Sequence, residues 1–531
     1  MSIEKAQSKF TPEWLKIDFQ NIARFIITGV LIYTSGCSSI IDARKQKAPY
    51  ISQYYSGNLK SAAADFKDKA ADRNGSGDEL MWCLDAGTSA FSAGEYKTSL
   101  KIFERCEAIL KEFRDRADIS ARDGGGETGA VFTNANALSY RGMYVDKIML
   151  NAYKALDYLA LNNMEAAQVE LRRMRDSQKN VIKHFKDEIE TAQKGIDAQN
   201  IKNQQKSANM GRADTSVSFE SLLKNPVIDK AYKTSGDKAN KLYGNLSNPF
   251  VTYFSAMGYF LENNYGEAMV DLRNLYKMIP DNKLVQQDYV TCAKKLGDKI
   301  PDQLKEISPL TYSLNTNIVY VLFFNGRAPA LKQEKFQIIL PYVGYTGIAF
   351  PQYEYFQSPL KALQIDLKYK NRNISDKTEQ IVDFDAVMSQ EYHLQLPTMI
   401  TRLVISTLTK EIGSYAAVAA ARQAGSGAEI GAYALTGLYK WLFNTADTRC
   451  WETLPKEIQA ARIPIPENHI LTISPLSSLA GASKDHSKPT KKNITHFGKK
   501  TKIKLKKDTK VAIVYIRALS ADKLIYKLFE F

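Results

Sequence analysis

Cysteine and histidine are scarce in this chain, with five of each among 531 residues. So few cysteines cannot build a disulfide scaffold. No CxxC pair occurs, and His184, His393, His469, His486 and His496 show no metal-ligand spacing, which leaves zinc without a site. HExxH and GxSxG strings are missing too, as is the GK[ST] ending of a phosphate loop. These absences predict a protein without metal or cofactor and without an enzyme's machinery. No apolar run reaches the roughly 20 residues that a spanning helix needs. The Ala-rich stretch from Ser414 to Ala424 is flanked by Lys410 and Glu411 and contains Arg422, so it reads as close helix packing.

The N-terminus carries an address. Residues 1–24 are polar, with Lys5, Lys9, Lys16 and Arg24, and the uncharged segment 25–33 follows. Then comes Thr34-Ser35-Gly36-Cys37. A basic start, a short apolar core and small residues before a cut site make a secretory signal. Small residues before a cysteine resemble a bacterial lipobox, although Thr34 stands where such signals prefer Leu. The expectation is cleavage before Cys37 and acylation of its thiol, which would tether the protein to a membrane. Cys83, Cys106, Cys292 and Cys450 are expected as buried small apolar residues. A Cys83–Cys106 bridge in an oxidising compartment is the alternative.

Residues 1–36 are thus read as signal peptide, 37–300 as a helical domain and 301–531 as an α+β domain, since this length exceeds one core. Three series in the helical part share one spacing. They are Ala90, Gly94, Tyr96, Ser99, Phe103; then Tyr158, Asn162, Met164, Ala167, Leu171; then Tyr259, Asn263, Tyr265, Ala268, Leu272. A fainter copy is Gly57-Asn58, Ala62, Phe66. Gly or Asn takes a turn that needs positive φ, and a small residue then opens the second helix at a close crossing. The pattern resembles tetratricopeptide hairpins, whose period is about 34 residues. The turns lie at 57, 94, 162 and 263, so insertions interrupt the array, at 114–139 and 177–243. The first holds the glycine run Gly124-Gly125-Gly126-Glu127-Thr128-Gly129, read as a loop. The second is expected as a solvated helix to about Gln205, then a loosely ordered stretch to about Thr215. Such arrays present curved faces to proteins, so Ala90, Tyr158 and Tyr259 on the inner faces are the candidate partner contacts.

After Pro301 the pattern turns to strands. Candidates are Asn317–Phe324, Lys335–Leu340, Gly344–Phe350, Leu363–Tyr369, Ile470–Ser474, Lys500–Lys506, Lys510–Arg517 and Leu524–Phe531. A helix is expected over Ala386–Ala424, kinked or restarted at Pro397. The glycine-rich segment 425–431 and a further helix over 432–443 follow. Together these predict a mixed or antiparallel sheet with packed helices.

Several strings together resemble a family of uncharacterised Gram-negative envelope lipoproteins with TPR-like N-terminal halves. They are GGGETG at 124–129 with Tyr140-Arg141-Gly142, YKALDYLALNNMEAAQVELRR at 153–173, NPFVTYFSAMGYF at 248–260, FFNGRAP at 323–329, IAFPQY at 348–353 and ADTRCWETLP at 446–455. The resemblance implies a non-catalytic lipoprotein of the outer membrane facing the periplasm, and it supplies no catalytic residues.

Of the fifteen net positive charges, nine arise between Lys484 and Lys510, from 11 Lys against 2 Asp. Lys502, Lys504 and Lys506 alternate with Ile503 and Leu505, giving a strand one cationic face. That face could meet anionic lipid or lipopolysaccharide, or it could simply protect an edge strand from aggregation. Nucleic acid is not an expected partner of an exported protein. Trp451, beside Arg449, is either a core residue or a contact anchor. Asp383 and Asp385 read as a solvated pair.

The leading expectation is an envelope scaffold or assembly factor. Its alternatives are an envelope enzyme such as a peptidoglycan hydrolase, and a cytoplasmic TPR adaptor with a signal-like start. A pocket holding His393 beside a serine, cysteine or carboxylate would point to the hydrolase.

Overall fold

The computed structural model describes residues 42–122, 139–209, 216–239, 243–244, 246–340, 344–424, 445–477, 495–496 and 500–531. Helices come first and sheets follow. Four hairpins are α1 (Ala43–Tyr55) with α2 (Leu59–Asp72), α3 (Glu79–Ala93) with α4 (Tyr96–Arg122), α5 (Tyr144–Ala160) with α6 (Met164–Asn209), and, after α7 (Phe219–Leu222) and α8 (Pro226–Ala239), α9 (Pro249–Leu261) with α10 (Tyr265–Met278). A further helix, α11 (Lys283–Leu296), packs on α10.

All four hairpin turns are built alike. Gly57, Gly94, Asn162 and Asn263 take φ of +86°, +87°, +57° and +59°. At each, two amides fold back on the last helical turn. Gly94 N–H meets the Phe91 carbonyl at 3.0 Å and Glu95 N–H that of Ala90 at 2.9 Å; Asn263 and Asn264 repeat this on Phe260 and Tyr259, both at 2.8 Å. This double closure satisfies carbonyls that a helix end leaves orphaned. Five residues past each turn, Ala62, Ser99, Ala167 and Ala268 are fully buried, and four further on Phe66, Phe103, Leu171 and Leu272 fill the crossing. The helices then stack in chain order, with α9 docking on α6.

The second insertion differs from expectation. Helix α6 runs on to Asn209, and Val181, Phe185, Ile196 and Asn203 bury one side of its extension. That side meets the long α12 (Phe384–Ala424), where Asn203 Nδ2 donates to Thr409 Oγ1 at 2.9 Å. Helix α8 packs on α12 as well. Pro397 lies inside α12 without ending it. The Thr401 hydroxyl donates to the Pro397 carbonyl at 2.8 Å. The glycine run at 124–129 and the segments 425–431 and 432–443 lie outside the described residues.

Strands β1 (Ile318–Asn325), β6 (Glu379–Asp383), β7 (Glu457–Pro464), β11 (Val511–Ala518) and β12 (Leu524–Glu530) form one sheet in the order β12-β11-β1-β7-β6. A second sheet has the order β10-β8-β4-β5, from β4 (Ala362–Tyr369), β5 (Arg372–Lys377), β8 (Ile470–Ser477) and β10 (Thr501–Lys504), with β9 (Thr495–His496) paired to β8. Strands β2 (Ala330–Leu340) and β3 (Gly344–Glu354) make a separate hairpin. The β1–β11 pair is parallel and the other pairs antiparallel.

The first sheet has no wet face along β1, β7 and β11, whose eight residues each are all buried. Alternation sorts them. Tyr320, Leu322, Phe324, Ile513 and Tyr515 join the core of the helices. Val319, Val321, Phe323, Val514 and Ile516 face the second sheet. The layers are therefore helices, sheet, sheet. One core runs from Ala43 to Phe529, so the boundary near residue 300 marks a change of element type within a shared core.

Crowding at the crossings gives a test. A Cβ on Gly87 would meet the Phe103 ring at 2.5 Å, whereas one on Gly347 meets nothing within 4 Å. Gly87→Val should lower stability by about 2–3 kcal/mol, read as a fall in Tm, and Gly347→Ala should leave Tm nearly unchanged. Equal small effects would show that the crossing is slack.

Candidate functional site: the junction of helices and sheet

The string ADTRCWETLP is an irregular strand of chain that crosses between the helices and the first sheet. Its polar groups find partners on both sides. Thr448 Oγ1 donates to Asp42 Oδ1 at 2.6 Å, at the start of α1. Arg449 pairs with Asp78 at 3.0 Å and Asp447 at 2.7 Å. Trp451 Nε1 donates to Thr88 Oγ1 and Thr453 Oγ1, both at 3.0 Å. Glu452 pairs with Arg327 at 2.5 Å. Arg327 belongs to FFNGRAP, and the Ala328 N–H donates to the Leu454 carbonyl at 3.0 Å. Strand β3, which holds IAFPQY, joins through Glu354, paired with Arg44 of α1. Three of the strings behind the family resemblance thus meet at one place.

Two further cations are sealed inside. Lys47, 1% exposed, contacts Asp85 Oδ2 at 2.5 Å and Glu452 Oε1 at 3.3 Å and donates to the Cys450 carbonyl at 2.6 Å. Burial alone would pull its ammonium down, but the Asp85 and Glu452 carboxylates outweigh burial and hold it above its usual value. Burial pushes the Asp85 carboxyl up against the pull of Lys47. Arg517 is fully buried and donates to the carbonyls of Phe324 at 3.2 Å, Ala518 at 3.1 Å and Thr453 at 3.3 Å. Around these groups Phe103, Tyr153 and Trp451 pack ring on ring, with centroids 5.5–5.9 Å apart. A second buried tie, Arg462 of β7 with Asp288 of α11, closes the far end of the array. Sequence reasoning missed all of these charges. Yet Lys47 lies on the stripe Ala43, Lys47, Ile51, Tyr54, and Asp85 is the only charge between Leu80 and Phe91, so a charge on an apolar face was the available signal.

The expected contact residues fare differently. Ala90 and Trp451 are at 1% and 0% exposure, and Tyr259 is buried with its hydroxyl accepting from Arg175 at 2.9 Å. As partner contacts these three are corrected: the chain's own sheet and neighbouring helices cover the inner faces. Tyr158 is half-buried. Lys502, Lys504 and Lys506 are exposed while Ile503 and Leu505 are buried, and β10 is an edge strand among the described residues. Cys37, Thr34, Ser35 and Gly36 lie outside the described residues. Cys83, Cys106, Cys292 and Cys450 are buried free thiols, so the alternative Cys83–Cys106 bridge is absent. Asp383 and Asp385 are buried, not solvated: Asp383 accepts from the Asp385 N–H at 2.9 Å, and Asp385 pairs with Lys238 and Lys456.

His393 does have a serine beside it, with Nδ1 3.0 Å from Ser235 Oγ. The arrangement does not suit a nucleophile. Ser235 is 1% exposed, and its hydroxyl also donates to the Tyr232 carbonyl at 2.9 Å. It sits inside α8, whose backbone amides serve the helix, and the imidazole stacks on Tyr232 at 4.2 Å. Burial holds that imidazole below its usual value.

Near the start of α5 two carboxyls are raised by burial, Glu391 to about 8 and Asp146 to about 6, despite N–H donors from Tyr144 and Met143. Among the described residues no group of three or more His, Cys, Asp or Glu could hold a metal ion. Neither a protein-family model nor a curated protein matches the chain.

A raised carboxyl favours folding when protonated. The Glu391 contribution is full below its ordinary 4.5 and is lost as pH rises through about 8. Glu391→Gln should therefore raise stability at pH 8 by on the order of 3 kcal/mol, with the gain shrinking to near zero at pH 4. A pH-independent difference in denaturant midpoints would refute this.

Proposed function

We propose that this protein is a non-catalytic lipoprotein of the Gram-negative outer membrane, facing the periplasm, that serves as a protein-binding scaffold or assembly factor. The supporting observation is the run of hairpins with four identical turns, stacked in chain order, which we read as TPR-like. Such stacks offer long surfaces whose shape is set by the repeat. Because the chain itself fills the inner faces, the partner surface is the outer one. There Val169 of α6 and Val270 of α10 are 40% and 41% exposed on helices that both pack on α9. The anchor is the acylated Cys37, five residues before Asp42 caps α1.

Two experiments test this reading. Palmitate-analogue labelling should mark the wild type and not Cys37→Ala; equal labelling of both would leave the cytoplasmic adaptor standing. Photo-crosslinkers at positions 169 and 270 in intact cells should trap envelope proteins. Recovery of cytoplasmic proteins alone would end the scaffold proposal.

The lysine face formed by Lys502 and Lys504 of β10 and by Lys506 just past it is read first as protection of an open edge. Contact with anionic lipid is the second reading, and it predicts salt-sensitive sedimentation with anionic vesicles that K502E/K504E/K506E abolishes. Sedimentation unchanged by those substitutions would discard it.

A further inference from the structure

We propose that Lys47 and Asp85 condense to an intramolecular isopeptide bond, with Glu452 as the proton carrier. The three side chains are 1%, 0% and 1% exposed. Lys47 Nζ lies 2.5 Å from Asp85 Oδ2, and the other carboxyl oxygen is held by donors: the N–H groups of Glu452 at 3.1 Å and Thr453 at 3.0 Å, and the Thr453 hydroxyl at 2.9 Å. Two backbone amides and a hydroxyl aimed at one carboxyl oxygen polarise its carbon and would hold the oxyanion that forms on attack. Glu452 Oε1 is 3.3 Å from Nζ, and among the described residues neither it nor Asp85 Oδ2 takes a hydrogen bond from any other group. Arg327 holds the far oxygen of Glu452.

The proton count closes. Glu452 takes one proton from the ammonium and passes it to Asp85 Oδ2. The amine lone pair then forms the Nζ–Cγ bond, and negative charge gathers on Oδ1 between its donors. A second Nζ proton travels by the same carboxylate to Oδ2, the Cγ–Oδ2 bond breaks, and water leaves. Oδ1 becomes the amide carbonyl, and Glu452 ends ionised against Arg327 as it began. The one proton left on Nζ is already directed at the Cys450 carbonyl at 2.6 Å. No oxidant or activated donor is needed. Condensation is uphill in water, but here it removes two charges from an interior where each is costly, with the reacting groups already positioned. The raised Asp85 carboxyl favours the protonated form that attack requires. The other buried lysine bridge lacks this arrangement: of the partners of Lys154, Glu107 is only half-buried, and Glu170 accepts from the side chains of Asn151 and Arg173.

Tandem mass spectrometry of tryptic peptides from the full-length protein tests the bond. The expected product is a branched peptide, uncut after Lys47, joined to the peptide carrying Asp85 and lighter by one water than the two apart. Glu452→Gln should return the two separate peptides while its circular dichroism stays native. Cleavage after Lys47 in the wild type, or a lost water mapped elsewhere, would overturn the proposal. Full cross-linking in Glu452→Gln would overturn the role of Glu452.

Discussion

Strands β1, β7 and β11 have both faces covered, and that constraint organises the rest of the molecule. A sheet with no wet face must be packed on both sides. One side takes the second sheet through aliphatic residues such as Val319 and Val514. The other takes the first helices of three hairpins, α3, α5 and α9, which are accordingly buried nearly all round: 14 of 15, 14 of 17 and 12 of 13 residues are buried. A helix buried on every side has no face left for a partner, and this is why the inner surface of the array is closed.

The same constraint explains the buried charges. Where an irregular segment crosses between two packed layers, its amides and carbonyls lose water and need partners. Asp85 supplies one acceptor to two of its amides, and Arg517 caps its Thr453 carbonyl together with those of Phe324 and Ala518 at the ends of β1 and β11. Such groups are costly to bury, and removing one member leaves its partner charged and unpaired. They hold the segment in one place more than they add net stability.

Much of the architecture was legible because it rests on local rules. Gly57, Gly94, Asn162 and Asn263 announced their turns through a conformation that few residues accept. Strands such as β1 and β11 were readable as apolar runs. Strand β7 was not, because Gln459 and Arg462 break its run, and their partners Thr378 and Asp288 lie far away in sequence. Strand β5, exposed along much of its length, carries Arg372, Asp376 and Lys377 and reads as loop. The misplacement of Ala90 and Tyr259 has a different origin. An inner helix face has the same small and aromatic pattern whether a foreign ligand or the chain's own sheet lies on it. Only the tertiary structure tells the two apart.

The last strand carries a consequence for how the protein is made. Lys523, just before β12, donates to the Ser56 carbonyl at the first hairpin turn, and Lys527 of β12 lies 5.6 Å over the Tyr96 ring at the second. Those lysines sit where helix C-termini gather negative charge. The first two hairpins are thus covered by strand residues far along the chain. Pairing so distant in sequence makes for slow folding and long exposure of apolar surface. Until those strands pair, the helical half would keep much of its apolar surface uncovered.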